Sequence, residues 1–371
     1  MHSDAKFSCA GTNPGGVPAK QKKILVRRIV RDRSQQIRRA VQLAFLALNA
    51  WIAIEFLLWT RYFESGGQTH YVERPAGVDG WLPIAGLMNL KYFLVTHHVP
   101  VMHPAAMFLT AVFLLSSLLL KKTFCSWLCP VGTASEYLWK LGRRVFHRNF
   151  VVPRWLDIPL RGLKYLLMSF FLFIVISMSA EALNDFLLAP FGIIADVKML
   201  NFFCHMGIVG MAVVVMLIVL SLFIQNFWCR FLCPYGALMG LVSTLSPAKI
   251  RRDADACVAC GKCSKACPSS LPVDRLLQVR SAECTGCMEC IAACSVENAL
   301  QLSLPPRRMN QQEPIANRWR HRALDPRLVA AALAIIFFAL VGAARATGHW
   351  QTHIPQNEYM QLVPHADEYG H

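Results

Sequence analysis

Of 371 residues, 55% are hydrophobic and 16% charged, and the mean hydropathy is +0.38; this balance excludes an ordinary soluble two-domain protein and points to the membrane. The formal charge of +16 does not mark a nucleic-acid binder, because the basic residues stand in blocks beside apolar stretches instead of alternating with exposed aromatics. Fourteen cysteines, twelve of them in short repeated runs, read as metal thiolates and not as the disulfides of a small secreted domain.

Residues 1–38 form a basic tail with no apolar core of signal-peptide length, so the first hydrophobic stretch is expected to be retained, and Cys9 is a spectator thiol. Lys20, Lys22, Lys23, Arg27, Arg28, Arg31, Arg33, Arg38 and Arg39 place this end in the cytoplasm under the positive-inside rule. Five stretches, roughly 40–60, 104–120, 160–180, 207–228 and 328–344, have the length of about 20 apolar residues that a bilayer crossing needs. An odd number of crossings puts the termini on opposite sides.

The segment after the second stretch (Lys121, Lys122, Lys140, Arg143, Arg144, Arg148, Arg154) and that before the fifth (Arg307, Arg308, Arg318, Arg320, Arg322, Arg327) are basic and belong inside. The loops near 61–103 and 181–206 carry acids (Glu64, Glu73, Asp79, Glu181, Asp185, Asp196) and belong to the periplasm. Within the first of these, Trp81 to Val95 is apolar but broken by Pro83, Gly86, Asn89 and Lys91, and is read as a re-entrant or interfacial helix, a sixth span being the alternative.

The expected fold is an α-helical membrane protein of about five transmembrane helices with a small α+β two-cluster ferredoxin-like module. A four-helix membrane domain fills 39–251, the module 252–304, a basic linker 305–327, the fifth helix 328–345 and a periplasmic tail 346–371. The tail holds His349, His353, His365 and His371, and either docks a periplasmic redox partner or stands solvated.

Within the module, Cys257, Cys260, Cys263 and Cys267, followed by Pro268, form the bacterial ferredoxin run C-x₂-C-x₂-C-x₃-C-P. Cys284, Cys287, Cys290 and Cys294 repeat it, with Ser295 in place of the proline. Three cysteines two residues apart wrap one face of a cubane, and the fourth ligates the other cluster. One [4Fe-4S] cluster is therefore expected on Cys257, Cys260, Cys263 and Cys294, and a second on Cys284, Cys287, Cys290 and Cys267. Zinc on the same thiolates is the plain alternative.

An internal repeat stands at the inner ends of the second and fourth stretches: FCSWLCPVGTAS from Phe124 and WCRFLCPYGALM from Trp228. Cys125/Cys129 and Cys229/Cys233 are each spaced i, i+4, on one helical face beside a proline and a glycine. Together they could bind a metal, carry electrons as dithiols, or pack as small buried residues. His97, His98, His103 and Cys204-His205-Met206 are expected at the outer surface, where His103 and His205 are the candidates for copper, haem or a quinone hydrogen bond. Capping of helix ends is the plainer role for any of these histidines.

Residues 125–132, residues 229–236 and the double ferredoxin run resemble the membrane polyferredoxin family, which includes the quinol-dehydrogenase subunit of periplasmic nitrate reduction, the nitrous-oxide reductase regulator and the copper-oxidase assembly factor. RPAGVDGWLPIAGLMNLKYF from Arg74 and HPA from His103 extend the resemblance over most of residues 40–304. It implies iron–sulfur electron transfer at the bacterial inner membrane between a quinone pool or redox protein and two cytoplasmic clusters, with a quinone or an additional metal as a further cofactor. The flavin-binding domain of the regulator branch and the C-terminal domain of the assembly-factor branch are not expected here. The alternative function is a copper reductase or assembly factor using Cys125, Cys129, Cys229 and Cys233; a redox sensor ranks last.

This topology is tested by a reporter active only outside the cytoplasm: it should work after His371 and fail after Leu304. Activity at Leu304 would reverse the helix count.

Overall fold

The computed structural model describes residues 32–147, 149–150, 152–305 and 322–369. Cys9, the basic residues up to Arg31, Arg148, Arg307, Arg308, Arg318, Arg320 and His371 lie outside them.

Helix α1 (Ser34–Glu64) leads through a 3-10 turn (Ala76–Trp81) into α2 (Pro83–Thr96) and α3 (Pro104–Leu120). α4 (Thr123–Trp127) and α5 (Pro130–Phe146) precede α6 (Arg154–Ser177), followed by α7 (Ala180–Leu188), α8 (Pro190–Ile193), α9 (Ala195–Cys204) and α10 (Ile208–Phe223). A π-turn (Trp228–Leu232) enters α11 (Pro234–Thr244). The module consists of β1 (Lys249–Arg252), α12 (Lys262–Ala266), α13 (Glu289–Ala292) and β2 (Leu300–Ser303), and the chain ends in α14 (Pro326–Ala346) and α15 (Gln356–Leu362).

Of the five expected spans, α1, α6 and α14 are long and apolar enough to cross a membrane alone. α9 and α10 make a fourth only across an 80° bend. α3, with 17 residues, measures about 25 Å against a hydrocarbon core of about 30 Å. It is stopped at both ends by left-handed residues, His103 (φ 50) and Lys121 (φ 67). The stretch expected to run to 228 ends as a helix at Phe223, because Ile224 is extended and Asn226 is left-handed (φ 51). α2 has 14 residues, about 21 Å, which fits the re-entrant reading and not a sixth span.

α3 is the centre of the bundle: Ala105, Leu109, Val112 and Phe113 are buried as α2, α11 and α14 pack around it. The outer faces of the long helices carry exposed apolar side chains, such as Trp51 (63% exposed), Phe173 (71%) and Phe338 (69%), which only a lipid environment accommodates as a continuous belt. Lys91 of α2 donates to Val175 O at 3.0 Å and Ile176 O at 2.9 Å, and also to Met178 O, so it caps the last carbonyls of α6.

The module closes on itself through antiparallel β1 and β2, in register from Lys249↔Ser303 to Arg252↔Leu300. Its docking is made by charge. Arg38 of α1, fully buried, forks onto Glu136 of α5 at 2.6 Å for both oxygens and reaches Glu289 of α13 at 3.0 Å. Lys140 joins Glu136 (2.5 Å) and Glu289 (3.0 Å), and Gln35 donates to Cys287 O at 3.0 Å. Burial pushes the Glu136 carboxyl up, but the Arg38 hydrogen bond and charge, with Lys140, outweigh it and hold it down at about 2.

Arg38→Ala should therefore cost about 3–5 kcal/mol, since it strands a buried carboxylate, and should lower the thermal unfolding midpoint in detergent. The depressed Glu136 contributes stability that is full above its ordinary range near 4.5 and is lost as pH falls towards 2. Glu136→Gln should flatten that acid limb; an unchanged limb would remove the pair from the docking account.

Candidate metal centres

In the module, the two ferredoxin runs fold alike. Each has a left-handed residue before its second cysteine, Ala259 (φ 54) and Gly286 (φ 63), and another after it, Gly261 (φ 69) and Met288 (φ 59). One position in each run is glycine, which adopts this backbone freely; Ala259 and Met288 adopt it at a cost.

Cys263 lies within electrostatic reach of Cys257 and Cys294, while Cys290 is surrounded by Cys287, Cys284 and Cys267. Cys260 stands exposed at the module surface. Cys294 of the second run thus stands near Cys263 of the first, and Cys267 of the first near Cys284, Cys287 and Cys290 of the second.

The second site is built by the sequence repeat. Cys129 and Cys233 are the N-cap residues of α5 and α11, each followed by proline at the first helical position. Gly236 N donates to Cys233 Sγ at 3.2 Å, so the thiol takes the place of a capping hydroxyl. Cys229 has Cys233, Cys129 and Cys125 as electrostatic neighbours, with Lys122 beside them. The repeat brings all four thiols to one chamber.

Burial pushes the Cys125 thiol up to about 11, against the pull of Lys122, and burial with Cys125 pushes Cys129 up to about 12. Such thiols keep their protons at pH 7 unless a metal ion displaces them.

The chamber is the module end of a cavity of about 1020 Å³, walled by the four cysteines, by Pro268, Glu283, Thr285 and Cys287 of the module, and by Phe45, Leu48, Trp81, Leu167 and Phe337 of the bundle. The residue after the first cysteine of each repeat holds the module in place: Ser126 Oγ donates to Thr285 O at 2.7 Å and Arg230 to Ser270 Oγ at 3.1 Å. Glu283 accepts from Lys164 (2.6 Å) and Tyr165 (2.9 Å). In the sequence Arg38 and Lys122 are topology charges and Lys164 carries no signal; for Lys122, its place three residues before Cys125 is the one hint of a role at the thiols.

The histidine expectations divide. His103 is not at the outer surface but fully buried. Its Nε2 donates to Gly192 O at 3.0 Å and its Nδ1 stands 3.0 Å from Asp79 Oδ1. Arg74 binds Asp79 at 2.5 Å and Asp196 at 2.7 Å. Burial and Arg74 push the His103 pKa down, but Asp79 outweighs them and raises it, and the ring packs into one cluster with Asp79, Arg74 and Asp196. The ligand atoms of Asp79, His103 and Asp196 lie within 4.8 Å of one another, and the guanidinium of Arg74 supplies the positive charge among them. His205, like His97 and His98, is exposed, and the three described tail histidines are exposed while α15 packs Tyr359 against Trp59 (5.0 Å) and Phe63 (5.7 Å).

Comparison with known proteins follows the same division. The family described as a 4Fe-4S binding domain matches twice, at residues 102–149 and 206–253, and a 4Fe-4S dicluster domain matches 249–295. YccM of Escherichia coli K12, named for electron transport, is 53% identical over 90% of this chain and 91% of its own length. The ferredoxin-type protein NapH of the same organism is 27% identical over 56% of this chain and 71% of its own. The regulatory protein NosR of Pseudomonas aeruginosa is 30% identical over 50% of this chain but 25% of its own. No solved structure matches.

The two copies of the repeat differ in tolerance. A Cβ on Gly132 would lie 2.1 Å from Cys125 O, whereas one on Gly236 would meet Cys233 Sγ and Lys122 Nζ at 3.4 Å, ordinary contact. Gly132→Ala should cost about 1–3 kcal/mol in thermal unfolding and Gly236→Ala much less. Equal losses would overturn this placement of the first turn.

Proposed function

The chain belongs to the membrane polyferredoxin family, and we propose that it carries electrons between a membrane quinone or redox partner and two cytoplasmic [4Fe-4S] clusters. The observation that carries this reading is the cavity walled at one end by Cys287 of the module and by all four thiols of the repeat, and along its length by apolar helix faces. An isoprenoid tail suits those faces, and its head group would meet the thiols.

The clusters supply one-electron uptake and release. Cys257, Cys260, Cys263 and Cys294 hold the one on the solvent side, where Cys260 is exposed; Cys284, Cys287, Cys290 and Cys267 hold the one beside the cavity. The protein's part is to fix the second set against the bundle through Arg38, Ser126 and Arg230, and to keep water from it. Cys125, Cys129, Cys229 and Cys233 form the next station as a metal site. Five crossings, with α3 shielded at the centre and α9 and α10 together as one span, put the N-terminus and the module inside the bacterial inner membrane and the C-terminus outside.

Anaerobically purified protein should hold about eight iron and eight acid-labile sulfide in the module, with any metal of the four-thiol site over and above that; stoichiometric zinc with little iron refutes the clusters. Cys125→Ser or Cys229→Ser should abolish electron transfer while the module's reduced-state EPR signals persist. Full activity with all four serines would leave the module as the sole redox station.

A further inference from the structure

The four-thiol chamber contains one cation that the fold leaves unneutralised. Lys122, the residue before α4, is 3% exposed and lines the cavity. Its Nζ makes no hydrogen bond or ion pair among the described residues. Its basic neighbours are all engaged: Lys121 donates to Ser281 O at 3.0 Å, Lys164 pairs with Glu283 at 2.6 Å, and Arg230 with Asp157 at 2.6 Å. The charges within reach of Lys122 are Cys125, Glu283, Cys233 and Cys229, and Glu283 is already taken by Lys164 and Tyr165.

The ammonium lies beside Gly236, where a Cβ would stand 3.4 Å from both Lys122 Nζ and Cys233 Sγ. The repeat shows that the charge is a single one. Asn226 stands three residues before Cys229 as Lys122 stands three before Cys125; it is neutral, lines the same cavity, and its buried Oδ1 has no partner. α5 and α11, of 17 and 11 residues, both start at the chamber and aim the positive ends of their dipoles at the thiols.

A buried ammonium calls for a counter-anion, and Glu283, held by Lys164 and Tyr165, does not provide one. Four thiolates around iron do, because such a centre is anionic in both redox states. We propose that Lys122 is the charge partner of an iron centre held by Cys125, Cys129, Cys229 and Cys233, and sets its potential. The inference rests on the reading of these cysteines as a metal site. Adding one electron makes the centre more negative, so the nearby ammonium favours the reduced form and raises the midpoint. Lys122 is a positioning residue that acts through charge.

The test uses the full chain, purified anaerobically in detergent, with iron analysis and an EPR-monitored redox titration of wild type, Lys122→Met, Lys122→Arg and the four-serine variant. The component missing from the four-serine variant should be reduced at least tenfold less readily in Lys122→Met, 59 mV for a one-electron couple, and be restored by Lys122→Arg, with the module's signals unmoved. Loss of that component in Lys122→Met but not in Lys122→Arg also supports the charge. An unmoved midpoint in Lys122→Met, or equal loss in Met and Arg, overturns the role of Lys122 alone. Absence of any such component from wild type overturns the four-thiol reading with it.

Discussion

The fork of Arg38 onto Glu136, extended to Glu289, is the interaction on which the arrangement of the redox groups depends. It ties three segments far apart in the chain: the start of the first membrane helix, the amphipathic helix that opens at Cys129, and the short helix that carries Cys290. A buried guanidinium is stable only with both carboxylates in place. Docking of the module is therefore close to all-or-none, and its cavity-side cysteines are held against the bundle instead of trailing from it. Separation of redox groups sets the rate of electron transfer, so this pair has a functional weight that its place in the basic N-terminal block conceals.

The repeat is symmetric in its thiols and asymmetric in everything around them. The second cysteine of each copy begins a helix, and burial raises the thiols described. Around them one copy supplies Lys122 and Ser126, the other Asn226 and Arg230. Ser126 and Arg230 are spent on the module, the first through its hydroxyl on Thr285 O and the second on Ser270. Duplication thus made the set of four thiols, and divergence of the flanking residues made the docking surface and left one cation facing them.

At the other end of the bundle a different use of charge is visible. Arg74 pairs with Asp79 and Asp196, and His103 with Asp79, with both carboxylates and the imidazole buried. This joins the 3-10 turn, the start of α3 and the start of α9. The C-terminal segment joins them, with Lys198 donating to Ala366 O at 2.7 Å.

The sequence by itself determined the chemistry that resides in local spacing: the eight cysteines of the ferredoxin runs, the duplicated thiol pairs and the apolar helices. These are legible because ligand spacing and hydrophobic period are properties of adjacent residues. Helix length was less so, since α10 stops at Phe223, short of residue 228, where Ile224 is extended and Asn226 left-handed, a backbone no residue type announces. Only the tertiary structure decided that His103 is a buried ion-pair partner, that Arg38 docks the module, and that Lys122 faces the thiols. A charge reads alike in sequence whether it faces lipid headgroups, a carboxylate or a thiol; its partner, contributed by a residue some hundred positions away, fixes which it is.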